Sequence, residues 1–225
     1  MGQKLILLLE CGRTHSNRIV GGTKAESGEW CWQAKLMIWK RGPHTSLFLC
    51  GGSVINEQYI LSAAHCFYGY KPLTKANDIA IIKLTKKIEY NDRICSVCLP
   101  TKNEDYTGET AIVTGWGALK SGGDSPESLM EAQVNIISYQ RCKRSYGYLQ
   151  PSQMCASAPG TDSCQGDSGG PLVHKSSEGF WELIGIVSAG RGCADKHYPG
   201  LYTNVYMFLP WIYEITSEDG YCPSN

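Results

Sequence analysis

Hydrophobic positions in this chain fall in short runs of three to nine residues, cut by Gly, Pro, Asn and charged side chains. Val, Ile and aromatic residues dominate the runs, as they do in strands that bury one or both faces. The pattern predicts strands over Trp32–Trp39, Leu47–Ile55, Tyr59–Ser62, Ile79–Leu84, Thr110–Trp116, Ala132–Ile137, Leu172–His174, Trp181–Ser188 and Leu201–Asn204. Near the end the period changes. Phe208, Leu209, Ile212 and Ile215 recur at helical spacing and predict a helix over 205–215. Thr101–Gly108 is polar and reads as the link between two halves. Residues 1–18 become polar after Leu9, lack periodicity and read as a pro-segment. The chain is therefore expected to be all-β, in one large domain or two small ones.

Composition narrows the choice of function. There are 21 basic and 21 acidic residues, so the net charge is zero and the footprint of a nucleic-acid or anionic-membrane binder is lacking. No apolar run approaches the roughly 20 residues of a membrane span. The eleven cysteines run from Cys11 to Cys222, and the one C-x-x-C, Cys95 to Cys98, has no second pair. Disulfides in an exported protein are thus the stronger reading over zinc. An odd count leaves at least one thiol free or paired to another chain. The apolar run Leu5–Leu9 is shorter than a signal core of roughly 7–15 residues. Met1-Gly2 opens like a myristoylation signal, but Ile6 stands where Ser or Thr is wanted.

Three local signals carry chemistry. Gly166-Asp167-Ser168-Gly169-Gly170 places a hydroxyl in a glycine-rich turn whose N–H groups can face an oxyanion. Leu61-Ser62-Ala63-Ala64-His65-Cys66 sets a histidine after small residues, beside a cysteine that can anchor the turn. Asn77-Asp78-Ile79 places a carboxylate at the head of an apolar strand, where burial demands a partner. Each alone has a plain alternative: a Gly-Asp turn, a structural histidine, a strand-end aspartate. Together they stand in the order His, Asp, Ser.

With Arg18-Ile19-Val20-Gly21-Gly22, Gly115-Trp116-Gly117 and Pro199-Gly200-Leu201-Tyr202-Thr203, this set resembles the trypsin/chymotrypsin family of serine proteases from about Cys11 to Trp211. The resemblance implies two antiparallel β-barrels, one over about 19–100 and one over about 101–204, followed by the helix, with residues 19–225 forming the peptidase domain. It implies a catalytic triad of His65, Asp78 and Ser168, and an oxyanion hole made by the N–H groups of Gly166 and Ser168. Asp162 falls at the base of the specificity pocket, with Ser163, Ser188, Gly190 and Gly200 around the substrate, so cleavage after Arg or Lys is expected. Ala189 departs from the family, which usually has Trp there. Cleavage at Arg18–Ile19 would free an α-ammonium to pair with Asp167. The implied bridges are Cys50–Cys66, Cys142–Cys155, Cys164–Cys193 and Cys11–Cys98. A further family bridge is missing in both halves, at Ala111 and His174. Cys31, Cys95 and Cys222 remain, and Cys31–Cys95 is the preferred extra pair.

The expected protein is a secreted, extracellular endopeptidase acting on Arg- or Lys-containing proteins and peptides, with an activating protease and a protein inhibitor as partners. No metal, cofactor, nucleic acid or membrane is assigned. Two non-enzymatic readings compete: a family member reduced to a binding module, and a disulfide-rich structural domain. One departure is large. His65 and Asp78 are 13 residues apart and Asp78 and Ser168 are 90 apart, against roughly 45 and 93 in the family's reference triad. About 30 residues, roughly two to three strands, are absent from the first half. An incomplete N-terminal barrel is therefore expected, with Asp78 short of burial and support and with little activity.

Overall fold

The computed structural model describes residues 11–14, 23–40, 46–67, 70, 75–118, 123–157, 167–190 and 198–217. The first half forms a four-stranded antiparallel sheet in the order β2 (Gln33–Lys40), β3 (Ser46–Val54), β4 (Tyr59–Ser62) and β5 (Ala80–Lys83). Among the described residues, β2 and β5 are edges, so this half is an open sheet. The second half contains β6 (Thr110–Gly115), β7 (Met130–Ile137), β8 (Gln153–Ser157), β9 (Pro171–Lys175), β10 (Trp181–Ala189) and β11 (Gly200–Asn204). They pair in the order β7-β6-β9-β10-β11-β8, and β7 also pairs with β8, closing a six-stranded barrel.

Side-chain parity explains how an open sheet survives. Along β9 and β10, Leu172 and Ile184 point into the closed barrel, where they pack with Ala111, Val134 and Tyr202. Their neighbours Val173 and Leu183 point outward and join a second core with Trp32, Tyr59 and Leu61 of the first half. Strands buried on both faces read as unbroken apolar runs, as Leu183-Ile184-Gly185-Ile186-Val187 does. Leu209 and Ile212 of the C-terminal helix α2 (Leu209–Thr216) close the same core. The first sheet thus lays its apolar face on the outside of the barrel.

The structure differs from the sequence expectations at three places. Residues 23–24 fall in the stretch expected to build the first barrel, where no strand was expected before Trp32, yet they form a short strand β1 (Thr23–Lys24) that pairs with β7 of the second. Trp30 accounts for this: it meets Trp32 and Trp181 edge-on, at 5.6 and 5.0 Å between centroids, and its Nε1 donates to Glu131 of β7 at 2.8 Å. The expected helix over 205–215 begins as a 3-10 turn, Val205–Phe208, and becomes α-helical only at Leu209. Asn204 caps the turn by accepting from Tyr206 N–H. The helix α1 (Tyr139–Tyr146) was not anticipated, because Tyr-Gln-Arg-Cys-Lys-Arg-Ser-Tyr buries only Cys142 and shows little apolar periodicity. Its local signals were a Ser138 N-cap and Gly147 after its last turn.

The disulfides tie these parts together: Cys11–Cys98, Cys31–Cys95, Cys50–Cys66 and Cys142–Cys155. Cys164–Cys193 and Cys222 lie outside the described residues. The register that sets Ile112 against Val173 brings Ala111 opposite His174, the two positions at which a family bridge is missing.

Candidate active site

His65 lies in a 3-10 turn, Ala64–Cys66, just after β4, and Asp78 lies two residues before β5. Because β4 and β5 pair directly, Ser62 against Ala80, the two residues meet at one end of that ladder. Asp78 is fully buried. Its Oδ1 accepts from the His65 backbone N–H at 2.8 Å, and its Oδ2 lies 2.7 Å from His65 Nδ1. Ser188 Oγ donates to the same Oδ2 at 2.5 Å. A carboxylate accepts only, so Nδ1 carries hydrogen, which in a neutral ring leaves the lone pair on Nε2. Burial of an unpartnered carboxylate would be costly, and three donors from two halves of the molecule offset it.

This corrects the expectation that the shortened first half would leave Asp78 poorly buried and poorly supported. The 13-residue span is compensated by a tight turn pinned from both sides. Lys75 and Asn77 both take φ of 54°, a left-handed conformation that brings the chain round quickly. Tyr70 Oη donates to the Ala76 carbonyl at 2.8 Å. From the second barrel, Gln153 Nε2 donates to Lys75 O at 3.1 Å and Thr203 Oγ1 donates to Asp78 O at 2.8 Å. Burial, and then the charge of Asp78, push the Tyr70 hydroxyl well above the usual phenol range, so it stays a donor. Sequence reasoning missed these supports. Tyr70 and Gln153 carry no local signal, and Thr203 was visible only as part of a family motif.

Ser168 belongs to the second half but sits against the first. Its carbonyl accepts from Gly51 N–H at 2.7 Å and lies 3.7 Å from Cys66 Sγ, next to His65 in the chain. Gly169 has φ of 79°, and a Cβ there would lie 2.3 Å from Ser62 Oγ, so both conformation and space demand glycine. Asp167 explains the Gly115-Trp116-Gly117 motif. Its carboxylate accepts from Gly117 N–H at 2.8 Å, and a Cβ at Gly115 or Gly117 would strike it at 2.0 or 2.3 Å. Ser188 is buried in β10, and Gly190 is exposed just beyond that strand. Gly200 is buried in β11 and pairs with Ala156 of β8. Asp162, Ser163, Gly166, Arg18 and Ile19 lie outside the described residues.

A buried carboxylate, a histidine oriented by it, and a serine loop thus meet at the seam of a closed β-barrel and a second β-sheet. The family model for trypsin matches residues 19–73 and 67–212, and the chain belongs to that family. The two matched segments meet at 67–73, where the sequence is short. Mouse (Mus musculus) transmembrane protease serine 11C is 36% identical over 252 residues, covering 93% of this chain and 56% of the relative. The chain therefore spans about half the length of that relative. The aligned stretch is longer than this whole chain of 225 residues, so the relative carries residues that are absent here. No described helix is long and apolar enough to cross a membrane.

Proposed function

We propose that this chain is a serine endopeptidase that cuts after Arg or Lys, acts outside the cytoplasm, and is switched on by cleavage between Arg18 and Ile19. The observation that carries the reading is the buried Asp78 holding His65 by both its backbone N–H and its Nδ1. In this reading Ser168 Oγ attacks the scissile carbonyl while His65 Nε2 takes its proton. The N–H groups of Gly166 and Ser168 stabilise the oxyanion. His65 then returns the proton to the leaving amine, and water releases the acyl group by the reverse sequence. Asp162 pairs with the basic side chain before the cut, and Asp167 pairs with the new α-ammonium of Ile19. Four disulfides support an oxidising compartment, and Cys11–Cys98 would keep the cleaved pro-segment attached. Protein substrates, an activating protease and a protein inhibitor are the partners this function calls for.

The test is labelling with a serine-directed organophosphonate after cleavage at Arg18. The label is expected on Ser168 and absent from Ser168→Ala, with N-terminal sequencing of the active form beginning at Ile19. Asp162→Ser is expected to abolish turnover of arginyl substrates far more than of aromatic ones. Retained Arg preference would remove Asp162 from the pocket.

A second reading, a catalytically impaired homologue that serves as a binding protein, is favoured by the unpaired edges of the four-stranded sheet among the described residues. A version carrying a family-length insert after Tyr70 separates the two. Equal kcat/KM on an arginyl ester supports the active enzyme, and a gain of orders of magnitude on insertion supports the impaired one.

A further inference from the structure

The first sheet ends on an open strand beside the candidate site. Among the described residues, β5 pairs with β4 on one side and with nothing on the other. The register sets Ile60 against Ile82 and Leu61 against Ile81, and just past the strand the Leu84 N–H donates to the Gln58 carbonyl. In an antiparallel ladder, bonded pairs alternate with unbonded ones. Leu84, Ile82 and Ala80 therefore turn their backbone groups toward β4, and Ile81 turns its N–H and carbonyl away from it. Beside this edge lies an open apolar hollow of about 280 Å³, lined by Ala64, Phe67, Tyr70, Ala80, Ile81 and Ile82. Ile81 and Ile82 are only half-buried, although both pack against the core that the two halves share. The hollow lies where the chain is short. Phe67 and Tyr70 belong to the stretch 67–73 at which the two family-matched segments meet.

An open edge is a template for another strand, and two features select its occupant. Pairing throughout the first sheet is antiparallel, so an added strand runs against β5 and brings its N-terminal end to the segment that follows. That segment, residues 83–87, reads Lys-Leu-Thr-Lys-Lys, with three exposed cations and no acid. Glu57, 3.8 Å from Lys87, offsets one of them in part. An acidic N-terminal end is the complement. Beyond it, the hollow and the half-buried Ile81 and Ile82 call for apolar side chains at alternate positions, with backbone bonds to Ile81 holding the strand.

The same strand is tied to the chemistry. Asp78 lies two residues before β5, and the Ser62–Ala80 pair that ends the ladder stands next to the turn that holds His65. Solvent-exposed backbone bonds at an edge open more readily than covered ones.

We propose that the free edge of β5 takes an extended strand from a partner protein, acidic at its N-terminal end and apolar at alternate positions beyond it, and that this strand raises turnover by steadying Asp78 against His65. The rise in turnover rests on the protease reading above, whereas the docking does not.

The probe is the peptide Glu-Glu-Thr-Val-Thr-Val-Thr, capped at both ends, which has no basic residue to be cut. Its binding to the full chain is read by fluorescence anisotropy, and its effect on kcat/KM is read with a small arginyl ester after cleavage at Arg18. Saturable binding is expected, with about a tenfold rise in kcat/KM, within the usual coupling between two sites. The same residues in scrambled order should do neither. Lys86→Glu/Lys87→Glu should weaken binding about tenfold and leave turnover without peptide unchanged. Ile81→Pro removes the outward N–H at an edge position that tolerates proline, and it should abolish binding. If that variant does not fold, the lysine pair still locates the site. Equal binding of the scrambled peptide, or binding that the lysine pair does not weaken, overturns the docking edge. Binding at the edge with no change in kcat/KM overturns the activating role. A chain that binds the peptide but cleaves the ester neither with nor without it overturns the protease reading and leaves the docking edge standing. A chain that sediments as a dimer and excludes the peptide assigns the edge to a second copy and overturns the proposal.

Discussion

The two halves of this molecule solve the same problem with unequal means. The second closes six strands on themselves and has no barrel edge to protect. Among the described residues, the first has four strands with two open edges, and it borrows its cover from the outer faces of β9, β10 and α2. Yet the first half carries both His65 and Asp78. Their rigidity comes across the seam, from Ser188 and Thr203 of the closed barrel. A pair of site residues can therefore sit on an abbreviated scaffold, provided the complete one supplies the hydrogen bonds.

The largest effect that would sharpen this contrast is at the shared carboxylate. Asp78→Asn keeps the shape but presents an amide N–H or a weaker acceptor to His65 Nδ1. We expect kcat on an arginyl ester to fall by about 10⁴, the size seen for this change in the family's reference triad. A drop of only a few fold would mean that Asp78 does not orient the base. Next come the two cores. Leu172→Ala, inside the closed barrel, should cost about 2–5 kcal/mol in urea unfolding. Leu36→Ala, half-buried on the inner face of the open sheet, should cost about 1–2 kcal/mol. Equal costs would show that the borrowed cover packs as tightly as the barrel interior. The cross-seam donors should matter less. Ser188→Ala and Thr203→Val each remove one buried hydrogen bond to Asp78, and each is expected to lower kcat about tenfold. If neither variant changes turnover, the first half holds its own geometry.

The smallest effect concerns the place where the N-terminal strand joins the barrel. Burial pushes the Glu131 carboxyl up, and the nearby Glu29 charge adds to this, while the Trp30 and Thr23 hydrogen bonds act the other way. A raised folded pKa means that the folded state binds the proton more tightly. Its contribution to stability is present below the unfolded carboxyl range, near about 4.3, and is lost as pH rises through the folded value. Glu131→Gln should therefore match the wild type in acid and melt slightly higher near neutrality. Parallel melting curves across that range would remove Glu131 from the account.

Much of the molecule was legible in the residues. Strand positions in both halves follow from runs such as Tyr59-Ile60-Leu61-Ser62, because burial on a pleated strand leaves a local apolar signature. The shortage between His65 and Asp78 was also visible, as a spacing alone. Its consequence was not. That Asp78 is nonetheless buried depends on Gln153 and Thr203, which lie 78 and 125 residues from their partners. Such contacts leave no local periodicity, so only the packed chain decides them. The same holds for β1, which joins the second barrel because Trp30 finds Trp181 and Glu131 there. By itself the sequence determined the strand pattern, the family motifs and the basic-residue junction at Arg18, since these are local matters of polarity, spacing and residue type. Tertiary structure decided which half each edge leans on and what holds the buried carboxylate, since hydrogen bonds across the seam depend on geometry that no stretch of chain encodes alone.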